Sequence, residues 1–424
     1  MIKILKQDTL KRDDAFSSSA PANVTEIVSG IINDVATRGD EALFEYCEKF
    51  DKCKLKSLAV TKEEIENAFE QVEPEFVEIL KEAAENIRVF HKRQVKEGFI
   101  QTNDNGSVVG QRVIPLEKVG LYVPGGTAAY PSTVLMDAIP AKVAGCKEIV
   151  IVTPPDKEGK VNPAILAAAY IAGVDKIFKV GGAQAVAALA YGTESVPRVD
   201  KIAGPGNMYV AEAKRQVYGR VDIDMIAGPS EILIVADGKS DARIIAADLL
   251  SQAEHDKNAS AVLVTDSEEL ANNVSNELER QIALLPREEI ARTSIDNNGL
   301  IIVTSRIDVA IEIADEIAPE HLELSVDEPF SYLGKVKNAG SVFLGRYCPE
   351  ALGDYFAGPN HTLPTSGTAR FSSPLSVDDF VKKSQYIYYT KDALNAVYKK
   401  VAAFAEKEGL SAHARSARAR FEKF

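Results

Sequence analysis

The sequence predicts an α/β protein in which two units are built on largely parallel sheets. Short runs of β-branched residues recur after Gly106, and Ala-rich stretches of helical length separate them. Strands that alternate with helices of ten or more residues form βαβ units, whose parallel sheet is covered by helices on both faces. The length of 424 residues also favours two or three domains over one, because domains average about 150 residues.

The N-terminal quarter is predicted to be mostly helical. From Val24 to Asp51 and from Lys62 to Glu97, apolar residues recur at three- and four-residue spacing among charged residues, which is typical of amphipathic helices. Residues 103–106 (NDNG) are a strong turn signal that ends this part. His91 lies on the charged second stretch, so we expect it at the surface.

Seven strands are predicted after that turn, in two sets. The first set comprises the four strands up to residue 235. The second set comprises the three later strands, with helix-patterned stretches at 241–253 and 308–317. From Ser376 to the end the pattern is helical and charged. The predicted strands are 119–123, 148–152, 176–180, 230–235, 260–264, 299–303 and 340–344.

The composition is that of an ordinary globular protein, with 46% hydrophobic and 26% charged residues. A net charge of −13 gives an acidic surface that repels phosphate backbones and anionic lipids, so we expect neither nucleic acid nor a membrane as a partner. The first 16 residues lack the apolar core of a signal peptide, which predicts a cytoplasmic protein. No apolar run reaches the roughly 18 residues that a membrane span needs.

The four cysteines are scattered without CxxC spacing, which favours reduced thiols over a disulfide framework or a cysteine zinc site. Cys146 precedes a predicted strand, and no histidine or basic cluster adjoins it. We therefore expect it to pack as a small buried residue rather than to act as a nucleophile.

Four glycine-containing turns stand at the ends of predicted strands. None of them fits the dinucleotide fingerprint GxGxxG or the P-loop pattern. Each turn alone is explained as a plain loop, but several together at strand ends favour a crevice for a nucleotide or another phosphate-bearing ligand. The turns are 123–126 (VPGG), 180–184 (VGGAQ), 203–207 (AGPGN) and 227–231 (AGPSE).

Histidines and carboxylates form three candidate groups. Gln252 and His255 lie three residues apart on one helical face, where both could reach a metal ion or simply mark a helix C-terminus. Glu320 and His321 follow a helix, and we expect them in a loop as an acid–base pair. Asp354 and His361 are predicted in a glycine-rich loop, and His413 lies in the helical C-terminal region, solvated or functional.

Nine motifs taken in collinear order resemble the histidinol dehydrogenase family, and the resemblance, which includes Ala412 and His413 near the end, covers essentially the whole chain. They are 120–127 (GLYVPGGT), 180–186 (VGGAQAV), 192–198 (GTESVPR), 200–208 (DKIAGPGNM), 227–232 (AGPSEI), 248–257 (DLLSQAEHDK), 318–325 (APEHLELS), 339–346 (AGSVFLGR) and 353–370 (GDYFAGPNHTLPTSGTAR).

This resemblance implies two Rossmann-like α/β domains with parallel-rich sheets, and small helical N- and C-terminal segments that intertwine in a homodimer. It implies that the C-terminal segment of one subunit completes the active site of the other. The implied divisions are an N-terminal segment 1–20, a catalytic zinc domain of 21–102 and 232–375, an NAD-side domain 103–231, and a C-terminal segment 376–424.

The resemblance also implies the chemistry. Members of the family use one zinc per subunit and oxidise L-histidinol through an aldehyde to L-histidine, the last step of histidine biosynthesis, while reducing two NAD. The implied zinc ligands are Gln252, His255, Asp354 and His413. The implied catalytic pair is Glu320 and His321. The implied substrate contacts are Ser230, His361 and Glu408 together with His321 and the zinc ligands, and the implied NAD contacts are Tyr122, Gln184 and Asn207.

Three other functions remain open at this stage. A dehydrogenase of another small polar alcohol, such as a sulfonated diol, would share the scaffold, although His361 and Glu408 favour histidinol. A zinc hydrolase could use Glu320 with a metal-bound water, but it would leave the glycine turns without a role. A non-catalytic metal-binding or assembly protein is the third alternative, because fold alone does not fix function.

Overall fold

The computed structural model describes residues 2–9, 22–125 and 130–423. Gly126 of the first predicted turn and residues 10–20 of the predicted N-terminal segment lie outside these ranges. The strands are β1 (Lys3–Lys6), β2 (Phe99–Thr102), β3 (Val108–Pro115), β4 (Lys118–Tyr122), β5 (Glu148–Thr153), β6 (Lys176–Lys179), β7 (Lys201–Ala203), β8 (Asp222–Ile223), β9 (Glu231–Ala236), β10 (Ser260–Thr265), β11 (Gly299–Val303), β12 (His321–Ser325), β13 (Ser341–Leu344) and β14 (Val381–Tyr388).

The helices account for much of the remaining chain. They are α1 (Ala22–Arg38), α2 (Asp40–Tyr46), α3 (Lys62–Gln71), α4 (Pro74–Lys92), α5 (Pro131–Ala144), α6 (Pro163–Ala172), α7 (Gly182–Tyr191), α8 (Met208–Val217), α9 (Ala242–Ala253), α10 (Glu268–Ile282), α11 (Glu288–Asn298), α12 (Ile307–Ile317), α13 (Phe330–Leu333), α14 (Glu350–Tyr355), α15 (Lys391–Lys407) and α16 (Ser411–Arg418). Shorter helical turns cover Gln7–Thr9, Cys47–Asp51, Thr368–Arg370 and Val377–Phe380.

A five-stranded parallel sheet has the strand order β6-β5-β4-β7-β8. In chain order this is 3-2-1-4-5, the arrangement of a Rossmann-type half. The direction of strand addition reverses between β4 and β7. The carboxyl ends of these two strands therefore flank the crevice where open α/β sheets bind their ligands.

A six-stranded parallel sheet repeats this order. Its strands run β1-β11-β10-β9-β12-β13, so β9 to β13 again read 3-2-1-4-5, with the reversal between β9 and β12. The N-terminal strand β1 extends the edge by pairing in parallel with β11, Lys3 lying opposite Leu300. The predicted α/β class with parallel-rich sheets is confirmed.

Both sheets are buried on two faces. In the five-stranded sheet, Leu121 and Ile151 pack towards α5 and α6, whereas the alternate residues Tyr122 and Val152 pack towards α1 and α7. The six-stranded sheet divides in the same way, with α9 to α11 on one face and α12 on the other. Successive residues of a strand point to opposite faces, which explains why these strands are apolar at nearly every position.

Helices α1 to α4 pack on the five-stranded sheet. The neighbours of α1 are α7 and α8, and those of α3 and α4 are α5 and α6. The mostly helical N-terminal quarter is as predicted.

Residues 95–115 and 381–424 form a second compact unit. Its antiparallel sheet has the order β14-β3-β2, and α15 packs on α16 through Ala402, Ala405 and Ala414. The helical pattern expected from Ser376 is wrong at Val381–Tyr388, because this segment pairs with β3 along its whole length. Pairing with a strand that is remote in the sequence overrides the local pattern.

Two smaller expectations are also resolved. Cys146 is buried and reduced as predicted, and burial raises the pKa of its thiol to about 11, which keeps it protonated and inert near neutral pH. Among the helices of the described ranges, none is long and apolar enough to cross a membrane.

Loss of a buried ion pair beside the five-stranded sheet should lower the free energy of unfolding more than loss of a pair at the surface. The side chains of Lys214 and Asp224, 2% and 1% exposed, form a salt bridge behind the turn after β7. We expect Lys214→Met to lower the free energy of unfolding by about 3–5 kcal/mol, because it leaves a buried carboxylate without its partner. Urea unfolding measures this loss.

The matched control is Lys142→Met, which breaks a 3.0 Å ion pair with Asp175 at the surface. Exposed pairs contribute about 0–1 kcal/mol. Equal losses for the two variants would contradict the assignment of a stabilising role to the buried pair.

Candidate active site

The candidate site lies at the amino edge of the six-stranded sheet. Strands β9 and β12 are parallel neighbours, and His321 lies opposite Ile232 in their register. Ser230 directly precedes β9, and Glu320 directly precedes β12. Helix α9 follows β9 and runs back towards the same edge, so that its last turn and His255 lie near Ser230, with His255 Nδ1 3.4 Å from Ser230 Oγ.

The ring of His321 is oriented by the backbone of Glu231. Its Nδ1 donates a hydrogen bond of 2.9 Å to the Glu231 carbonyl oxygen. Its Nε2 is buried and lies 3.7 Å from Asp354 Oδ1 and 3.9 Å from Glu350 Oε1. The hydrogen bond at Nδ1 leaves Nε2 as the nitrogen that can exchange a proton with a ligand.

The same residue also holds Glu320. The backbone N–H of Glu231 donates to Glu320 Oε2 at 2.9 Å, and that oxygen lies 3.6 Å from His321 Nδ1. Burial raises the pKa of Glu320 to about 8. A carboxyl group with this pKa can serve as an acid or a base near neutral pH.

Carboxylates control the protonation of His321. Burial lowers its pKa, but Glu320, Asp354 and Glu350 outweigh burial and raise the pKa to about 10. Burial raises the pKa of Asp354, but His321 and His361 outweigh it and hold that pKa well below its usual range. Burial also raises the pKa of Glu350 to about 7. The imidazolium form of His321 is therefore paired with Asp354.

Several side chains here could bind a metal ion. Both amide atoms of Gln252 are buried and have no hydrogen-bond partner in the described ranges. Burial lowers the pKa of His255, which favours the neutral imidazole that coordinates metals. Ligand atoms of His321, Glu350 and Asp354 lie within 4.8 Å of one another. A nitrogen and oxygen donor set of this kind suits zinc, manganese or cobalt.

His361 lies on a segment, residues 356–366, that crosses from α14 to the five-stranded sheet; we call it the crossing segment. Its Nδ1 donates to the Asp354 carbonyl oxygen at 3.0 Å, and its Nε2 lies 3.3 Å from Thr133 Oγ1 on α5. At the end of the crossing segment, the Ser366 N–H donates to Glu231 Oε1 at 2.8 Å. The crossing segment therefore contacts both sheet systems.

The implied NAD residues lie at the carboxyl edge of the five-stranded sheet. Tyr122 ends β4, and its hydroxyl accepts a hydrogen bond from the Gly182 N–H at 2.9 Å. Gln184 is buried in the first turn of α7, next to Gly182. Asn207 follows β7 and caps α8 by accepting from the backbone N–H of Tyr209 at 3.0 Å. All three residues therefore lie at the edge where the strand order reverses, with the side chains of Tyr122 and Gln184 buried.

Glu408 and His413 belong to the second unit. Glu408 follows α15, and His413 lies on α16. Both side chains are exposed and line a groove of about 810 Å³ between these two helices. Within this chain they are thus accessible to a ligand or to another molecule.

Three expectations about local structure are wrong. His321 opens a buried strand rather than lying in a loop, because its short strand is built into the sheet between β9 and β13. Asp354 lies on the helix α14 rather than in a glycine-rich loop. His91 is fully buried rather than exposed, because Asn360 of the crossing segment covers it, with Nδ2 3.4 Å from His91 Nε2.

The four glycine-containing turns do not all lie at the same ends of their strands. The turns after β4, β6 and β7 lie at carboxyl ends of strands, whereas 227–231 lies at the amino end of β9. Sequence reasoning missed Glu231 and Glu350 as site residues. The spacing of four between Glu350 and Asp354, which places both on one helical face, could have indicated the second of them.

The fold and the two edges define a class of protein. A Rossmann-like crevice on one sheet and a buried histidine–carboxylate centre on the other are the parts of an α/β enzyme that performs acid–base chemistry on a ligand. Fold alone does not identify the reaction.

Comparisons with known proteins identify the family. A histidinol dehydrogenase family model matches residues 15–421. The chain is 56% identical to the histidinol dehydrogenase of Clostridium acetobutylicum, over 100% of this chain and 99% of that protein. It is also 56% identical to that of Bacillus cereus, over 99% and 97% of the respective chains. The chain therefore belongs to the histidinol dehydrogenase family, and the prediction of an oxidoreductase is confirmed.

A solved structure agrees with this family. The histidinol dehydrogenase of Elizabethkingia anophelis matches with a TM-score of 0.94 and 38% sequence identity. The match covers 99% of this chain and 98% of that chain. The α/β architecture described above is thus the architecture of a solved family member.

The electrostatics of the site predict the effect of removing one carboxylate. In the metal-free protein, Asp354→Asn should lower the pKa of His321 from about 10, because the variant removes a negative charge that stabilises the imidazolium. At any pH between 7 and about 10, a smaller fraction of His321 should therefore be protonated in the variant than in the wild-type protein. Titration of the histidine rings by ¹⁵N NMR measures the change.

The control is Asp241→Asn, which alters a carboxylate at the surface cap of α9. It should leave the His321 titration unchanged. An unaltered His321 titration in Asp354→Asn would contradict the pairing.

Proposed function

We propose that this protein oxidises L-histidinol through L-histidinaldehyde to L-histidine, with reduction of two NAD and with one zinc ion per subunit. Membership of the histidinol dehydrogenase family supports the substrate. The observation that carries the mechanism is the pairing of Glu320 and His321 on the backbone of Glu231. In this pair, His321 would be the base that takes the proton of the alcohol, and Glu320 would be the base that assists the addition of water to the aldehyde.

The proposed zinc ligands are Gln252, His255 and Asp354 of one chain, with His413 supplied by the other chain of a dimer. The unpartnered amide of Gln252 and the neutral imidazole of His255 support this set. Bound zinc would orient the amino alcohol and polarise its oxygen. A metal on His321 would occupy the nitrogen needed for proton transfer, so we assign His321 and Glu350 to the surroundings of the metal.

His321 is the proposed base of the first oxidation. With the ring neutral, as it would be once a cation on Asp354 offsets the charge that stabilises the imidazolium, Nε2 can take the hydroxyl proton while the carbinol carbon gives a hydride to NAD, which leaves the aldehyde, NADH and one proton. The hydrogen bond from Nδ1 to Glu231 keeps Nε2 directed away from the sheet backbone. A ring that is already held in one orientation loses little conformational entropy when the reacting atoms come into position.

Glu320 is the proposed base of the second oxidation. Water adds to the aldehyde carbon, and the carboxylate of Glu320 takes a proton from that water. Glu320 returns this proton to the former aldehyde oxygen, the resulting hydrate gives its hydride to a second NAD, and the release of two protons leaves the carboxylate and NADH. The raised pKa of Glu320, about 8, matches a group that takes up and returns protons near neutral pH.

We propose the carboxyl edge of the five-stranded sheet as the NAD site, with Tyr122, Gln184 and Asn207 as its contacts. The strand reversal between β4 and β7 supports this position, since dinucleotides bind at such points. We assign the reading of the substrate to Ser230, His361 and Glu408. His361 links Asp354 to α5 and so lies between the two edges.

We further propose a homodimer with shared active sites, in which Glu408 and His413 of one subunit complete the site of the other. Their exposure on a groove of about 810 Å³ in the second unit supports this arrangement. The implied domain boundaries remain part of the same proposal.

The direct test is the number of NADH molecules formed from limiting L-histidinol. We expect two NADH per substrate, loss of turnover after chelation, and recovery with zinc. One NADH per substrate would indicate an alcohol dehydrogenase that stops at the aldehyde. No NADH from L-histidinol would reject the proposal and redirect the search to other polar alcohols and to hydrolysis.

Shared sites predict complementation between defective chains. A His413→Ala chain and a Glu320→Gln chain should each be nearly inactive alone. Mixed dimers should regain up to about half of the wild-type activity per dimer, because one of the two sites then receives only intact residues. Co-expression with two affinity tags isolates the hybrid, and hybrids as inactive as their parents would contradict the shared site.

A further inference from the structure

A carboxyl group outside the site described above connects its two halves. Asp137 lies on α5 and is fully buried. Its Oδ1 accepts a hydrogen bond of 2.8 Å from Thr362 Oγ1, and its Oδ2 has no partner within the described ranges. Neither the proposed chemistry nor the sequence motifs assign a role to it.

On one side, Asp137 lies against the cofactor turn, residues 204–207. A Cβ atom built on Gly204 would lie 2.9 Å from Asp137 Oδ2, and Gly204 has a φ of +108°. The Gly204 N–H donates to Asp224 Oδ2 at 2.9 Å, and its carbonyl accepts from Lys214 Nζ at 3.0 Å. The turn that leads to Asn207 is thus bonded to two buried polar side chains, Asp224 and Lys214, and packs closely against a third, Asp137.

On the other side, Asp137 holds the crossing segment. Thr362 directly follows His361, the proposed substrate contact. Asn360, which directly precedes His361, donates to the Met136 carbonyl oxygen at 2.6 Å and accepts from the Thr362 N–H at 2.9 Å. The Thr362 hydroxyl and the Asn360 amide therefore seat His361 on α5 next to Thr133.

We propose that Asp137 is a positioning residue that fixes the distance between the substrate-reading His361 and the cofactor turn. This inference rests on the proposed function, since it assumes that substrate and NAD occupy these two places. Hydride transfer requires the reacting carbons to approach closely, and a misplacement of about 1 Å can cost about 100-fold in rate.

The side chain of Asp137 suits this role because it acts through shape and one hydrogen bond. Burial raises its pKa to about 8, so the neutral form is present at pH 7. Removal of the carboxyl leaves the buried Thr362 hydroxyl without its acceptor, and removal of that hydroxyl leaves Oδ1 without its donor. Either change removes one of the contacts that hold the crossing segment on α5, while those of Asn360 with Met136 and of His361 with Thr133 remain.

The test compares Thr362→Val and Asp137→Ala with Asp137→Asn in the metal-loaded enzyme. We expect kcat to fall by about 10- to 100-fold in the first two variants. The KM values for histidinol and for NAD should each stay within about threefold, because the contacts of each ligand remain. Asp137→Asn keeps an acceptor for Thr362, so its kcat should recover to within about threefold of wild type.

A matched control separates positioning from stability. Ser294→Ala removes a buried 2.8 Å hydrogen bond from Ser294 Oγ to the Ala259 carbonyl oxygen beside the six-stranded sheet. It should lower the Tm and leave kcat per folded site unchanged. The double variant Asp137→Ala/Thr362→Val should lose no more activity than the worse single variant, because both remove the same interaction.

Three results would overturn the inference: an unchanged kcat in both Thr362→Val and Asp137→Ala, a loss explained by KM alone, or an Asp137→Asn enzyme as slow as Asp137→Ala. In each case the wild-type enzyme still forms NADH from histidinol, and the proposed function stands. If the wild type forms no NADH, the proposed function fails, and the inference fails with it.

Discussion

The parallel pairing of β9 with β12 determines the geometry on which the rest of the site depends. Because both strands begin at one level of the sheet, the peptide groups of Glu231 face the start of β12. One peptide N–H then holds Glu320, and the carbonyl of the same residue holds His321. A single backbone residue thereby sets the separation and orientation of two acid–base groups. Backbone atoms that are paired within a sheet move less than loop atoms, which keeps this geometry precise.

Burial and charge oppose each other throughout this edge of the sheet. Burial favours neutral carboxyl groups, as for Glu320, while the imidazole of His321 favours the ionised form of Asp354. The close charges decide the outcome at His321, where the carboxylates outweigh desolvation. A cation held by Asp354 would offset the charge of that carboxylate, lower the pKa of His321 and so leave more of the ring in the neutral form that can accept a proton at neutral pH. The acidic surroundings thus suit a site that works with a bound metal.

The sequence predicts the parts of this structure that local patterns determine. The strand 299–303 and the helix that ends at Ala253 agree with the structure to within a residue, because both are apolar segments with ordinary periodicity. The strand of His321 was not predicted, since the segment carries a histidine and a glutamate that are buried only through their partners in the sheet. His91 illustrates the same limit, because the residue that covers it, Asn360, is remote in the sequence. The motifs identified the candidate residues, but their arrangement around Glu231 depends on the pairing of distant strands.

The N-terminal strand has a consequence for biosynthesis. Lys3–Lys6 pairs with residues 300–303, so this edge cannot close until about three quarters of the chain has left the ribosome. At about 5–20 residues per second, that delay is roughly 15–60 s. The strands of the five-stranded sheet span only residues 118–223 and can assemble earlier. Until then the segment of β1 has no partner strand; it is only four residues long with a lysine at each end, and short charged segments resist wrong edge pairing.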